Sequence, residues 1–386
     1  MMNICVPAIY DKQYLNEIVK LNANYRGNCQ IFEMYGSLPK DVIGNLRPAW
    51  AINDIGLAEL KEFIEILHES GIQFEYIINS TIYPIPIHQT LGDALDFIGE
   101  LVDVGVDSLT ITNPFLITFV KEHYPNLKIT ASISNEISTI QQVIEFDNLG
   151  VDCIVLDRDV NRNFEFLKRA VKSTKKQIKL LCNSSCVFQC INVQYHANYS
   201  SFLSNCDLVE DTKAGGKTPF CSLYCKYRKF SNPIEHIKTP WIRPEDLNIY
   251  NKMGIQYFKI DGRDKSTSFV LEVVESYLRQ NYSGNFLRLL NKRYIDNVNR
   301  ICCQNALCAE SNGTGIDDVW KIWIDNRDLD GFVDSFITSK RNCLGDCIVC
   351  KACDTLSDRL LVDCVWQKQI CEKLSTQMKN SVFLVE

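Results

Sequence analysis

Eight short apolar runs, separated by amphipathic stretches, constrain this chain more than any other feature. The runs are NICVPAIY (3–10), CQIFEMYG (29–36), IQFEYIIN (72–79), VDSLTITN (106–113), LKITASIS (127–134), VDCIVLDR (151–158), QIKLLCN (177–183) and IQYFKIDG (255–262). Each is rich in Ile, Val, Phe, Tyr or Leu, and each is too short and evenly apolar for a surface helix. Such runs suit strands buried on both faces of a parallel sheet. Between them lie helical patterns that stop at glycine: 56–71, 90–105, 138–150 and 243–254. Glycine just past the last helical turn is a common stop. Strands alternating with helices imply right-handed βα units, and eight such units make a TIM-like (β/α)8 barrel. A doubly wound open sheet is the weaker alternative, because no glycine-rich phosphate turn follows an early strand.

The barrel is expected over 1–281, with a long insert at 184–242 between the seventh and eighth strands. Long irregular inserts at the catalytic face usually carry function. The remainder, 282–386, reads as a small helical, cysteine-rich appendage. Its segment 284–340 looks helical, with VWKIWIDN as the clearest apolar patch.

In a barrel the chemistry sits at the carboxyl ends of the strands. The polar residues there are Glu33, Tyr35, Asn79, Ser80, Asn113, Asn135, Glu136, Asp157, Arg158, Asn183, Lys259, Asp261 and Arg263. Any one of them can serve as a loop cap or a structural ion pair. Together they outline a polar cavity.

Eighteen cysteines in 386 residues form the second strong signal. The chain opens MMNICVPAIYDKQYL, with no apolar stretch of signal-peptide length and nothing near the roughly 20 apolar residues that span a bilayer. A cytoplasmic location is expected, where clustered cysteines more often hold metal than form disulfides. Net charge is −6, which supplies no general basic surface for nucleic-acid backbones. Cys5, Cys29 and Cys153 stand alone in apolar runs and read as small buried side chains.

Two constellations remain. In the insert, Cys186 and Cys190 are separated by three residues, as are Cys221 and Cys225. Two short pairs joined by a loop can converge four thiolates on one centre, and zinc and an iron–sulfur cluster are equally served. The pairs begin where a barrel strand ends, which favours a reactive centre. Cys182 and Cys206 are spare candidates, and His196 could act as ligand, proton donor or packing residue. In the tail, Cys343, Cys347, Cys350 and Cys353 have gaps of three and two residues. A second [4Fe–4S] cluster and a structural zinc both satisfy that spacing. Cys302, Cys303, Cys308, Cys364 and Cys371 read mostly as core.

The run N-S-S-C-x3-C-x5-H (Asn183 to His196), the later C-x3-C (Cys221 to Cys225), then P-W-I-R-P-E-D-L (Pro240 to Leu247), F-K-I-D-G-R (Phe258 to Arg263) and E-M-Y-G-S-L-P (Glu33 to Pro39) resemble the collagenase-like peptidase family, number thirty-two of the unassigned class. The likeness runs from the first strand to about residue 265. It implies a barrel-like fold in which Cys186, Cys190, Cys221 and Cys225 ligate a [4Fe–4S] cluster. Several members of that family are implicated in oxygen-independent hydroxylation, of ubiquinone precursors or of bases in transfer or ribosomal RNA, and some work in pairs. The first cysteine gap here is shorter than in the RNA-modifying members.

Three functions follow as expectations. The leading one is an iron–sulfur oxidoreductase or hydroxylase acting on a small molecule, peptide or nucleobase, with Glu33, Asn79, Glu136, Lys259 and Arg263 orienting the substrate and His196 nearby. The second is a peptidase, although neither H-E-x-x-H nor G-x-S-x-G occurs and there are only five histidines. The third is a non-catalytic, cluster-bearing partner subunit.

Overall fold

The computed structural model describes residues 1–25, 27–83, 85–205, 220–290, 321–338, 343 and 345–382. Eight parallel strands close into one barrel in sequence order, β1 (Met2–Pro7), β2 (Cys29–Gly36), β3 (Gln73–Ile78), β4 (Ser108–Ile111), β5 (Lys128–Ala131), β6 (Cys153–Val155), β7 (Gln177–Leu181) and β8 (Tyr257–Lys259). β8 closes the ring by pairing with β1, Asn3 opposite Tyr257 and Cys5 opposite Lys259. Each of the eight apolar runs supplies one strand, so the TIM-like fold expected from their spacing is the fold observed.

Helices cover the barrel from outside. Six follow the first six strands: α1 (Lys12–Asn24), α2 (Leu57–Glu69), α3 (Leu91–Asp103), α4 (Pro114–His123), α5 (Ile140–Asn148) and α6 (Phe164–Ser173). Local chemistry sets their ends. The Asp11 side chain accepts from the Tyr14 amide at 2.7 Å to start α1, and Thr139 forms a capping box with Gln142 at the start of α5. Gly71 and Gly150, at φ of 71° and 81°, follow α2 and α5 in the left-handed region that a residue with a Cβ avoids.

The insert after β7 folds as two helices, α7 (Val193–Asn205) and α8 (Phe220–Ser231), followed by a short turn of helix at Glu235–Lys238. The chain then returns through the buried Trp241, and the Ile242 amide donates to the Cys182 carbonyl at 2.9 Å, which ties the end of the insert to the end of β7.

The region beyond the barrel is helical and cysteine-rich, as expected, with one departure inside the stretch 284–340. Ile322–Trp323 forms a strand that pairs antiparallel with Leu361–Val362. Ile322 and Ile324 are buried while Trp323 between them is half-buried, a period-two pattern that outweighed the apparent helical patch in VWKIWIDN. Helices follow at Phe332–Thr338, Cys347–Cys350 and Cys364–Val382. Phe286, Ile324, Phe332, Phe336 and Leu374 join the same apolar core as the barrel residues. Cys5, Cys29 and Cys153 are buried, as expected of isolated thiols. Cys364, expected in the core, is exposed in the first turn of its helix, next to Asp363, which caps that helix through the Trp366 amide at 3.0 Å; Cys371 is half-buried. Cys206, Cys302, Cys303, Cys308, and the stretch 291–320 expected to be helical, lie outside the described residues. Among the described residues no helix is long and apolar enough to cross a membrane.

Candidate functional site

The interior of the barrel is charged. Lys179 on β7 donates to Glu33 on β2 and lies 3.2 Å from Glu75 on β3, while Lys259 on β8 lies 3.3 Å from the other Glu75 oxygen. Glu75 is fully buried. Burial pushes its carboxyl up, but Lys179 and Lys259 outweigh that and hold it well below the usual carboxylate range. These groups face one another because alternate residues on a barrel strand point inward.

Above this charged layer, at the carboxyl ends of the strands, lies a cavity of about 190 Å³. Tyr35, Asn79, Ser132, Glu136, Arg158, Lys259, Asp261 and Arg263 line its floor and wall. The insert closes the other side with Cys186, Cys190, His196, Cys221 and Cys225. The structure therefore brings together both cysteine pairs of the insert with five of the six residues expected to act on substrate: Asn79, Glu136, His196, Lys259 and Arg263. Glu33 stands apart. It is held in the layer below by Lys179 and does not border the cavity. Several other members of the polar ring have structural work. Asn113 caps α4 through the Phe115 amide at 2.9 Å, Asn135 donates to the Thr112 carbonyl at 2.7 Å, and Asn183 exchanges two hydrogen bonds with the Asp261 backbone at 2.9 and 2.7 Å.

The floor of the cavity is cationic. The Lys259 ammonium sits 3.7 Å from the centre of the Tyr35 ring, and the Arg263 guanidinium 5.7 Å from it. Burial and the neighbouring Arg47 push the Arg263 pKa down to about 10. Opposite stands Glu136 in a left-handed backbone conformation at φ 49°, an uncommon state for a residue with a Cβ that clusters at functional sites. Partial burial and the nearby Asp157 raise its carboxyl pKa against the pull of Arg158.

The cysteine side is built from local geometry. Cys221 and Cys225 are four residues apart on α8 and so share one helix face. Cys186 lies on the loop leaving β7, and Cys190 just precedes α7. None of the fourteen described cysteines is joined in a disulfide. Cys221 interacts electrostatically with Cys225 and Cys190, and Cys190 with Cys186. Three cations surround them. Arg158 faces Cys186 and Cys190. Lys229 is fully buried, donates to the Ser185 carbonyl, lies 3.0 Å from Thr239 Oγ1, and is pushed down to about 8 by burial. Lys226 follows Cys225, is fully buried, and its Nζ has no hydrogen-bond partner among the described residues.

That orphaned ammonium tests the implied cofactor. A buried cation without a counter-charge is costly. Four thiolates holding a [4Fe–4S] core carry net negative charge, which would lie beside Lys226, whose Nζ has no hydrogen-bond partner among the described residues. The residues present fit such a cluster. Among the described residues no group of three or more His, Cys, Asp or Glu side chains is drawn together tightly enough for a single ion. The four thiols border a cavity instead.

Comparison with known proteins agrees with this architecture. Residues 44–284 match Peptidase family U32, a span that takes in most of the barrel and all four cavity cysteines. The chain belongs to that family. Within it, the Methanocaldococcus jannaschii protein described as uncharacterized protease MJ1657 is 24% identical to this U32 chain over 371 residues, covering 94% of this chain and 99% of its own. The Bacillus subtilis tRNA hydroxylation protein P2 is 22% identical over 228 residues, 57% of this chain and 71% of its own. Of solved structures, the U32 peptidase Mk0906 matches with a TM-score of 0.46 at 16% identity, over 68% of this chain and 94% of that one.

Sequence reasoning about this U32 member missed several groups. Arg47 pairs with Asp261 at 3.0 Å from the loop after β2, and Ser132 accepts from Asn79 at 3.3 Å. Lys226 and Lys229 could have been flagged by their place on the same helix as a cysteine pair. Nothing in the sequence marked Arg162, which is fully buried against the tail.

Proposed function

We propose that this protein is an iron–sulfur oxidoreductase that hydroxylates its substrate without molecular oxygen, in the cavity at the mouth of the barrel. One observation carries the reading: thiols from two distant stretches of chain line the same cavity as Glu136, Lys259 and Arg263, and the buried Lys226 ammonium beside Cys225 has no hydrogen-bond partner among the described residues. Cys186, Cys190, Cys221 and Cys225 would hold the cluster. When bound, a four-thiolate cluster supplies one-electron redox chemistry.

The chain's own residues supply the rest. Lys259 and Arg263, held over the buried Tyr35 ring, offer positive charge suited to a substrate bearing carbonyl or anionic groups. Asn79 adds an amide for orientation. Glu136, with its raised pKa, can hold or take a proton at the reacting position. Insert helices over the mouth limit access of water. A nucleobase, a small metabolite or a modified peptide residue suits this cavity, and the B. subtilis relative named for tRNA hydroxylation favours the nucleobase.

The test is anaerobic purification with iron and sulfide analysis. A brown protein absorbing near ~400 nm is expected, with the colour lost in Cys186→Ala and Cys221→Ala. Incubation with unmodified tRNA, followed by mass spectrometry for a gain of one oxygen, tests the substrate. A colourless wild-type protein that binds only zinc would sink the reading.

The name of the M. jannaschii relative keeps a peptidase in view. A cysteine peptidase needs a thiol whose pKa is lowered. Here burial raises Cys190 and pushes Cys221 up to about 11. Hydrolysis of denatured collagen that survived iron removal would reverse this preference.

A further inference from the structure

We propose that Cys343, Cys347, Cys350 and Cys353 hold a second [4Fe–4S] cluster, which relays single electrons between the cavity cluster and the protein surface. The proposal rests on the reading that the cavity cysteines bind a cluster.

All four tail thiols border one small cavity of about 20 Å³, together with Lys238. The four thiols surround that void. Beside them lies Arg162, fully buried, its Nη1 3.9 Å from Cys353 Sγ and its charge acting on both Cys343 and Cys353. Its guanidinium stacks 4.3 Å from the Trp241 ring centre and donates only to backbone carbonyls and that sulfur, with no carboxylate partner among the described residues.

The two sulfur sites are joined through three residues. The Ile237 carbonyl accepts from Arg162 Nη1 at 2.7 Å and lies 3.9 Å from Cys353 Sγ. The Thr239 carbonyl accepts from Arg162 Nη2 at 2.7 Å, while its hydroxyl donates to the Cys186 carbonyl at 2.9 Å. A second contact runs between the loops themselves. The Gln189 carboxamide, from between Cys186 and Cys190, lies over Gly345, where a Cβ would overlap it. On its far side the tail site reaches solvent: Ile348 and Val349, between Cys347 and Cys350, are 85% and 78% exposed.

Hydroxylation in which water supplies the oxygen releases two electrons and two protons, and the electrons leave one at a time. In each transfer the cavity cluster goes from 1+ to 2+ as the tail cluster goes from 2+ to 1+, and the tail cluster then passes the electron to an oxidised carrier at the surface. No bond forms or breaks in these transfers. The outside partner is a soluble one-electron carrier of the ferredoxin or flavodoxin class.

The full chain, reconstituted anaerobically with iron and sulfide, is expected to hold about eight irons, and the Cys347→Ser/Cys350→Ser and Cys186→Ala/Cys221→Ala variants about four each. After reduction with dithionite, wild type should give an electron paramagnetic resonance signal broadened by two interacting spins, and each variant a simple uncoupled one. Redox titration covers the case in which the cysteine variants misfold. Arg162→Gln should lower the potential of one cluster and leave the other unmoved, while Arg162→Lys restores it. Zinc at the tail, about four irons in wild type, or two signals without interaction would overturn the proposal. Full iron retention in Cys186→Ala/Cys221→Ala, with iron lost from the tail variant, would remove the cavity cluster and the relay with it, yet leave the tail as an iron site.

Discussion

Trp366 stands edge-on to Phe230, ring centroids 5.2 Å apart, and the neighbouring Gln367 donates to the Phe230 carbonyl at 2.8 Å. Phe230 lies on α8, the helix that carries Cys221 and Cys225. The helix Cys364–Val382 therefore braces half of the thiol set from well over a hundred residues downstream. Trp366→Ala should destabilise the fold by about 1–3 kcal/mol, from lost burial and the aromatic pair. Its iron should leave faster on exposure to a chelator. Chemical denaturation and chelation kinetics check the two effects.

The charged layer in the barrel should make stability fall in acid. Glu75 is held below its usual range by Lys179 and Lys259, so the folded state binds fewer protons than the unfolded state near the model-peptide value of 4.5. Stabilisation from this group is complete above that value and declines as pH drops toward the lower folded pKa. Glu75→Gln should abolish that part of the acid sensitivity. It should also cost about 3–5 kcal/mol at neutral pH, because two buried ammonium groups lose a counter-charge. Urea unfolding across pH would show both.

Lys226→Met separates the cost of a buried cation from its use. In iron-free protein the substitution removes an ammonium without a partner and should raise stability by about 1–3 kcal/mol. In the iron-loaded protein the gain should shrink or reverse. Thermal melts of the two forms, compared for wild type and variant, measure the difference.

Glu136→Gln and Arg263→Ala should each leave iron content and absorption unchanged while lowering turnover. A loss of about 100-fold or more is expected for Glu136→Gln if its carboxyl moves a proton. Arg263→Ala should raise KM more than it lowers kcat. Unchanged kinetics in both variants would remove Glu136 and Arg263 from the catalytic machinery.

Much of this was legible in the residues. The eight strands could be read from runs such as VDCIVLDR because a doubly buried strand leaves a dense apolar trace. The convergence of Cys186, Cys190, Cys221 and Cys225 followed once the barrel placed both pairs at the same mouth. Glu33 was harder. Strand alternation puts it inside the barrel, but sequence alone does not say how deep a side chain sits or that Lys179 reaches across to it. Ile322–Trp323 was missed because its alternation spans only Ile322, Trp323 and Ile324, too short to stand out from an apolar patch in the sequence. Arg162 left no trace at all: its position depends on the tail folding back onto the barrel, a contact between segments far apart in sequence.

The buried chain of Glu33, Lys179, Glu75 and Lys259 has a consequence for traffic. It stoppers the axis of the barrel beneath the cavity. Substrate therefore does not thread the barrel from below: it enters and leaves on the side of the mouth where the thiols lie.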